Sequence, residues 1–334
     1  MTILGGTSPV VSRRRVLSSV AAVVAAPLAA TAQPAERVYR IGFLGGSSPT
    51  GYASLVDALR LGLREHGYVE RKNIAIEYRW AEGQYERLPA LAAELVRLPA
   101  DVIITQGTPA AFAAKRATTK IPIVMAIVGD PVASGVVASL AHSGSNVTGS
   151  SFFMADLNAK RLELMKELLP NLQRAGVLMN PGNAAMATVF RAMEERAHAL
   201  HVGLRAVNVR RLDELDGAFA LTKRQVEAVT IADEGLFIAN ARRIADLAIQ
   251  NRLPSIGFRE FCENGGLLAY GVDFPHIWRQ SAALVDKILK GAKPSSLPIQ
   301  QATRFELIVN LRTARAFGLS IPTSIHLRAN RTIE

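Results

Sequence analysis

Apolar and polar positions follow a repeating order of short strands and amphipathic helices along this chain. An apolar run at 39–44 is typical of a buried strand, and Leu55, Val56, Leu59 and Leu63 follow it at helical spacing. The order continues to about residue 127 and begins again at residue 174. The strands predicted in this way are 39–44, 74–78, 101–105, 121–127, 174–179, 204–209, 228–232 and 253–257, and the helices are 52–66, 85–98, one opened by Pro109, 184–200, 212–221 and 238–251.

Strands that alternate with helices indicate a mostly parallel sheet covered on both faces. Two such runs predict an α/β protein of two doubly wound lobes with a cleft between them. A helix at 275–289 is expected to return to the first lobe, and a strand at 305–310 to join the second. This divides the chain into a first lobe, 33–147 plus 273–295, and a second lobe, 148–272 plus 296–334.

The segment 12–33 has the organisation of an export signal. Three arginines at 13–15 precede an apolar run, and 30–32 matches an A-x-A cleavage site. The pair Arg13-Arg14, followed by an apolar residue and a leucine, is typical of a twin-arginine signal. The apolar run is too short for a membrane anchor, which needs about 20 residues. We therefore expect residues 1–32 to be a cleaved leader and the mature chain to reach a bacterial periplasm.

Composition and charge narrow the class of protein further. Hydrophobic residues make up 49% of the chain and aromatic residues 6%, which favours layered α/β structure over an aromatic-rich β protein. The net charge is +11, or +8 without the three leader arginines. Basic residues form scattered pairs such as Arg210-Arg211, with no nucleic-acid-binding motif, so no nucleic-acid partner is expected. Cys262 is the only cysteine, which excludes an internal disulfide.

Motifs for cofactor binding and catalysis are missing from the sequence. The glycines at 42–46 have the wrong spacing for G-x-G-x-x-G, and no phosphate-binding lysine motif, HExxH or GxSxG occurs. His198 and His201 lie three residues apart on a predicted helix but have no third ligand nearby in sequence. We expect neither a cofactor nor a metal, and no enzymatic activity.

Loops that follow the strands carry the candidate binding residues, because ligands of open α/β sheets bind outside the carboxyl ends of the strands. Asp130 precedes Pro131 at a predicted helix start, where it would cap the helix, contact a ligand or do both. Asp233 follows a strand and is expected to face the cleft. Thr108 is either an N-cap before Pro109 or part of a carboxylate site at a helix N-terminus.

Short motifs are spread over nearly all of the mature chain. They are Gly51-Tyr52, Tyr68-Val69-Glu70, Asn73-Ile74-Ala75-Ile76-Glu77-Tyr78-Arg79-Trp80-Ala81-Glu82-Gly83, Arg87-Leu88-Pro89, Gly129-Asp130-Pro131-Val132, Asn146-Val147-Thr148-Gly149, Lys160-Arg161-Leu162-Glu163-Leu164, Gly265-Gly266-Leu267, Tyr270-Gly271-Val272-Asp273, Phe305-Glu306-Leu307-Ile308-Val309-Asn310-Leu311 and Gly318-Leu319. Together they resemble the ABC transporter substrate-binding protein family related to tryptophan and tyrosine uptake receptors. The resemblance implies a periplasmic type I binding-protein fold with three crossovers between its lobes, and capture of a small solute for a membrane permease.

By position, the ligand loops of that family fall on eight residues, which are Ser47, Gly107, Thr108, Asp130, Ser150, Asn180, Asp233 and Tyr270. For an amino-acid ligand, we expect N–H groups and hydroxyls near Thr108 and Ser150 to hold the carboxylate. Asp233 or Asp130 would pair with the ammonium group, and Tyr270 would pack on an apolar or aromatic side chain.

The leading hypothesis is therefore a monomeric periplasmic receptor that binds an amino-acid-like solute and delivers it to the membrane permease of an ABC importer. One alternative is an exported α/β enzyme such as a hydrolase, which would need a nucleophile beside a base, and the sequence does not display such a pair. Another is a sensor that presents its ligand to a membrane receptor. A cytoplasmic regulator of similar fold would need a DNA-binding helix-turn-helix in the place that the leader occupies.

Overall fold

The computed structural model describes residues 1–3, 5–6 and 37–334, and residues 38–334 form a compact unit. Residue 4 and residues 7–32 of the predicted leader, 1–32, lie outside the described residues. Within the described part of the chain, no helix combines the length and the apolar character needed to span a bilayer.

Strands and helices alternate through this unit. The strands are β1 Tyr39–Gly45, β2 Ile74–Trp80, β3 Val102–Gln106, β4 Ile123–Gly129, β5 Val147–Phe152, β6 Arg174–Met179, β7 Gly203–Asn208, β8 Ala228–Ile231, β9 Ser255–Gly257, β10 Leu268–Gly271, β11 Gln300–Gln301, β12 Glu306–Asn310 and β13 Arg331–Ile333. The α-helices are α1 Ala53–Glu65, α2 Leu88–Arg97, α3 Gly107–Ala117, α4 Met154–Leu168, α5 Ala185–Ala199, α6 Leu215–Thr222, α7 Gly235–Ile238, α8 Ala241–Gln250, α9 Arg259–Glu263, α10 Phe274–Leu289, α11 Leu311–Ala316 and α12 Thr323–Arg328.

Two sheets divide these strands between them. The first has the spatial order β11-β5-β4-β3-β1-β2, and the second has the order β13-β12-β10-β9-β8-β6-β7. Neighbouring strands are parallel, except that β12 runs antiparallel to β10. β3 and β4 are buried along their whole length, as strands of a parallel sheet covered on both faces are, and β4 accordingly appears in the sequence as an unbroken apolar run. The predicted fold class, two doubly wound α/β lobes, is confirmed.

The first helix illustrates how the sequence pattern becomes packing. Leu55, Leu59 and Leu63 of α1 form a buried stripe, as their spacing predicts. This helix packs against α10, which returns from the second lobe. Gly62 permits the close approach, because a Cβ atom at this position would lie 2.2 Å from the carbonyl oxygen of Arg279.

Within residues 38–334 the chain passes between the two sheets three times. The first passage follows β5, since α4 packs on β8, β9 and β10 of the second sheet. The second follows β10, since α10 packs on α1 and β4 of the first sheet. The third joins β11 of the first sheet to β12 of the second.

Strand pairing places two of these passages later than the sequence-based division does. β5 pairs with β4 in the first sheet, although the division assigns residues from 148 onward to the second lobe. β11 pairs with β5, although the division assigns residues from 296 onward to the second lobe. The sequence does not reveal which sheet a strand joins, because the pairing partner is distant in sequence and is chosen by tertiary contact.

Local helix boundaries also differ from the predicted ones. α3 begins at Gly107, two residues before Pro109, which occupies the first turn where a missing N–H costs nothing. The predicted helix at 238–251 is two helices, α7 and α8. The residues after Asp130 form turns instead of the predicted helix.

A fully buried ion pair lies between α4, which follows the first passage, and the end of β10, which precedes the second passage. Arg161 of α4 donates from Nη1 to Oδ2 of Asp233 at 2.7 Å and from Nη2 to Oδ1 at 2.8 Å, and both side chains are 0% exposed. The guanidinium also donates to the carbonyl oxygens of Ile231, at the end of β8, and Tyr270, near the end of β10. Asn158 adds a 3.0 Å hydrogen bond to the Asp233 carboxylate. The pair therefore ties α4 to the ends of two strands of the second sheet.

Removal of one partner of this pair should be costly, because it leaves the other charge buried and uncompensated. We expect Asp233→Asn to lower the free energy of unfolding by about 3–5 kcal/mol in urea titrations. The matched control is Asp246→Asn, which disrupts the solvent-exposed pair with Arg242 and should have little effect. Equal destabilisation by both variants would contradict a structural role for the buried pair.

Candidate functional site

A cavity lies between the two lobes at the carboxyl ends of their strands, where open α/β sheets bind ligands. The loops after β1 and β3 form the wall of the first lobe, and the loops after β6 and β8 form that of the second. Its polar lining consists of Tyr85, Gln106, Thr108, Asn183, Asp233 and Glu234. Its apolar lining consists of Pro109, Ile127, Phe152, Met154, Ile238 and Phe274.

The start of α3 forms the wall of the first lobe. Gly107 has φ +76°, a left-handed conformation that glycine adopts without strain and that turns the chain from β3 into the helix. Gly107 and Thr108 line the cavity as the first two residues of this 11-residue helix. The N–H groups of a first helical turn have no partner within the helix and carry the positive end of its dipole. This wall is therefore suited to an anionic group.

Gln106, the last residue of β3, presents its side-chain amide to the cavity. The residue is 6% exposed, and its side-chain amide forms no hydrogen bond with any described residue. A Cβ atom built on Gly235 of the opposite lobe would lie 3.5 Å from its Nε2 atom, which places the amide across the cleft from that loop. A buried polar group without a partner costs free energy. A bound polar molecule would supply the missing partner.

Glu234 forms the opposite, acidic wall. It is 1% exposed and follows β8, directly before α7. Its Oε2 atom accepts a 2.7 Å hydrogen bond from Nδ2 of Asn183, and its Oε1 atom accepts one from the hydroxyl of Tyr85 in the first lobe. No ion pair of the described chain includes this carboxylate. It is therefore held in a fixed position by two neutral side chains.

Contacts across the cleft hold the lobes close together. Besides the Tyr85–Glu234 hydrogen bond, the hydroxyl of Tyr52 donates to the carbonyl oxygen of Gly235 at 3.2 Å. Gly51 lies directly against Ala239, where a Cβ atom would approach the alanine methyl carbon to 2.4 Å. These contacts describe a closed cleft in which the cavity is shielded from bulk water.

The remainder of the cavity wall is apolar. Phe152 and Phe274 form an edge-to-face pair with ring centroids 5.7 Å apart, and both side chains are buried. Met154 adds an adaptable thioether beside them. A lining with polar groups at one side and aromatic and aliphatic groups at the other has the chemistry of a site for an amphipathic small molecule. With the lobes this close the enclosed volume is about 30 Å³, so the cleft has to open further to hold one.

Burial dominates the electrostatics of the cleft. It raises the pKa of Glu234 from 4.5 to about 8 and the pKa of Glu260, on α9, likewise to about 8. Burial, followed by the nearby charges of Glu234 and Glu260, raises the pKa of Tyr52 well above its usual value. Both carboxyl groups therefore take up protons much more readily in the folded protein than in water.

Three of the eight predicted site residues line the cavity: Gly107, Thr108 and Asp233. Asp233 does so as the partner of Arg161, and both of its carboxylate oxygens are already bonded to the guanidinium. Its charge is compensated inside the protein.

Asp130 acts at the hinge. Its Oδ2 atom accepts a 2.9 Å hydrogen bond from the N–H of Ala155, so a residue that ends a strand of the first lobe caps α4 of the second. It adopts φ +42°, an uncommon conformation for a residue with a side chain, and burial raises the pKa of its carboxyl group. Asp130 does not line the cavity, and the helix it caps is not the one that the sequence suggests.

The other four predicted residues lie near the cleft without lining the cavity. Ser47 is buried just after the end of β1 and Ser150 is buried within β5, and the hydroxyl of Ser150 has no partner in the described chain. Asn180 accepts a hydrogen bond from the N–H of Gly182 and so shapes its own turn. Tyr270 lines a separate depression at the hinge, where its ring packs against Phe305.

Sequence reasoning missed Gln106, Glu234, Asn183 and Tyr85. The first three lie in or beside loops that the strand pattern already marks, close to residues chosen as candidates, so the pattern located the loops and did not single out these side chains. Tyr85 precedes α2 and reaches the cavity only through the closing of the lobes. No local pattern indicates that contact.

Comparison with known proteins places this geometry in a family. A family model described as ABC transporter substrate binding protein matches residues 48–333. A tyrosine-binding protein of Clostridioides difficile (strain R20291) is 26% identical over 258 residues, which cover 77% of this chain and 74% of that protein.

Two solved structures share the fold. A conserved domain protein from Vibrio cholerae has a TM-score of 0.83 and 28% identity, and the match covers 89% of this chain and 100% of that one. The ABC domain from Streptococcus pneumonia in complex with L-Trp has a TM-score of 0.81 and 23% identity with the same coverage. The two-lobed binding-protein fold that the resemblance implies is thereby confirmed.

The raised pKa of Glu234 predicts how stability depends on pH. An acid whose folded pKa of about 8 exceeds its unfolded value of about 4.5 contributes stability that is complete below pH 4.5 and is lost as the pH rises through 8. The melting temperature of the ligand-free chain should fall between pH 5 and pH 8, and Glu234→Gln should reduce that fall by keeping the site neutral. Glu86→Gln, an exposed carboxylate beside Tyr85, is the control. Parallel pH profiles for wild type and Glu234→Gln would contradict this assignment.

Proposed function

Since this chain belongs to the ABC transporter substrate binding protein family, we propose that it binds an amino-acid-like solute between its lobes and delivers it to the permease of an ABC importer. The observation that carries the proposal is the buried Gln106 amide, which has no partner in the described chain and faces an amphipathic cavity. A protein that closes over an unsatisfied amide gains from a ligand that satisfies it.

The two sides of the cavity support the choice of an amino acid. The first turn of α3, with Gly107 and Thr108, would hold a carboxylate through its N–H groups. Phe152, Met154 and Phe274 would enclose an apolar or aromatic side chain. The names of two relatives, a tyrosine-binding protein and a domain bound to L-Trp, point to the same class of ligand.

Export and partnership follow from the same proposal. A solute receptor of an importer works outside the cytoplasmic membrane, which agrees with the twin-arginine type of leader predicted at 1–32. Monomeric binding is sufficient, because residues of one chain form both walls of the cavity. The permease partner is proposed on family membership alone.

The proposal includes the absence of catalysis. Cys262 is buried away from the cavity, and burial raises the pKa of its thiol to about 12, so it is a poor nucleophile. The hydrolase alternative therefore gains no support from the chain's thiol. A sensor that presents its ligand to a membrane receptor would use the same binding site.

A ligand screen tests the proposal directly. The chain is unfolded and refolded to strip carried-over ligand, and its melting temperature is then measured against amino acids, nucleosides and organic acids. A ligand at 100 times its Kd should add about 2.7 kcal/mol of stability. We expect aromatic or aliphatic amino acids to raise the melting temperature and to be recovered unchanged. A response confined to another class would contradict the amino-acid assignment, and a chemically altered compound would indicate an enzyme.

Gln106→Ala should separate ligand binding from stability. Because its amide has no partner in the protein, its removal should leave the ligand-free stability nearly unchanged, while affinity for the ligand falls about tenfold. The matched control is Asn146→Ala. That amide donates to the carbonyl oxygens of Thr118 and Ile121, so its loss should lower stability by about 1–3 kcal/mol and leave affinity intact. Calorimetry and urea unfolding of both variants provide the comparison.

A further inference from the structure

We propose that Glu234 is the specificity-determining residue of the cleft, and that it selects ligands carrying a positively charged nitrogen. The inference rests on the proposed function for the position of the ligand, and goes beyond it by naming the chemical group that the receptor requires. It replaces Asp233 and Asp130 as the expected partner of the ligand ammonium group.

The carboxylates at the cleft differ in whether the protein already balances their charge. Asp233 is neutralised by Arg161 in a bidentate pair, and Asp130 is hydrogen-bonded to the N-terminus of α4. Glu234 lines the same cavity, is 1% exposed, and takes part in no ion pair of the described chain. A buried carboxylate without a cation is therefore the one charge at the cavity wall that a ligand would complete.

Two hydrogen bonds orient the Glu234 carboxylate. The Tyr85 hydroxyl and the Asn183 amide each donate to one oxygen of Glu234, from opposite lobes. Donors of this kind fix the position of a carboxylate and contribute no positive charge. Because Tyr85 belongs to the first lobe, the carboxylate reaches its final setting only when the lobes are closed. The cation site is thus completed by the same motion that encloses the ligand.

The two walls of the cavity differ in electrostatic character. Glu234 and the first turn of α3 belong to opposite walls, so the cavity has an acidic wall and a wall suited to an anion. An amino acid presents one charge of each sign. Burial also raises the pKa of Glu234 to about 8, because no cation of the described chain lies beside the carboxyl group. A cation on a bound ligand would favour the ionised carboxylate over the protonated form.

The test compares matched ligands that differ only in their charged groups. Three compounds share the phenylethyl group: L-phenylalanine carries both charges, 3-phenylpropionate carries the anion alone, and 2-phenylethylamine carries the cation alone. L-tyrosine and L-tryptophan are each compared with the corresponding acid and amine in the same way. Titration calorimetry at constant pH measures the affinity ratio of each amino acid to its desamino acid. We expect wild type to favour the amino acid by about 10- to 100-fold, the range of a hydrogen bond to a charged group.

Glu234→Gln should reduce that ratio by about tenfold or more, because it keeps the shape of the side chain and removes its charge. Glu86→Gln, outside the cavity, should retain the wild-type ratio. Tyr85→Phe removes a donor and keeps the charge, so it should weaken all ligands of the set similarly. Glu234→Asp keeps the charge on a shorter side chain and serves as the second variant if the glutamine variant does not fold.

Each outcome decides between the two proposals. An unchanged ratio in Glu234→Gln, or wild-type binding of the desamino acids as tight as that of the amino acids, overturns the role of Glu234. Binding of the amines without the amino acids supports Glu234 and contradicts the amino-acid function. If no compound with a positively charged nitrogen binds, the inference is overturned. If a neutral or anionic solute binds in that case, the receptor function still holds.

Discussion

The buried pair of Arg161 and Asp233 fixes the geometry on which the cleft depends. Arg161 belongs to the helix that begins directly after the first passage between the lobes, and its guanidinium also binds the backbone near the ends of β8 and β10. The end of β8 leads into Glu234, and the end of β10 leads into the second passage. The Arg161 side chain thus sets the position of the acidic wall and of two hinge segments. Because both charges of the pair are buried, loss of either one disrupts the whole arrangement.

Adjacent carboxylates have different roles because their surroundings differ. Asp233 is paired internally and stabilises the second lobe. Asp130 caps a helix of the opposite lobe and links the lobes at the hinge. Glu234 has neutral hydrogen-bond donors only, so its charge is left for a ligand to balance. The same functional group therefore serves stability, hinge geometry and recognition, depending on which donors the fold places beside it.

Closure and recognition use the same atoms. Tyr52 and Tyr85 of the first lobe donate across the cleft to the loop that follows β8, and Gly51 lets the two surfaces touch. The cavity polar groups that lack partners, above all the Gln106 amide, are enclosed by those contacts. A ligand that hydrogen-bonds to these groups would stabilise the closed arrangement, because they have no partner among the described residues.

The sequence by itself determined the two-lobed α/β fold, the helix faces such as Leu55, Leu59 and Leu63, and the loops that meet at the cleft, because these follow from local periodicity and from the rule that parallel strands end at one edge. It did not determine which sheet β5 and β11 join, nor which side chain of each loop faces the ligand. Gln106, Tyr85 and Glu234 acquired their places only through tertiary structure. The reason is physical. Whether a carboxylate or amide is bonded within the protein or remains free for a ligand depends on partners that only the folded chain brings into contact. Arg161, the partner of Asp233, is 72 residues away from it in sequence.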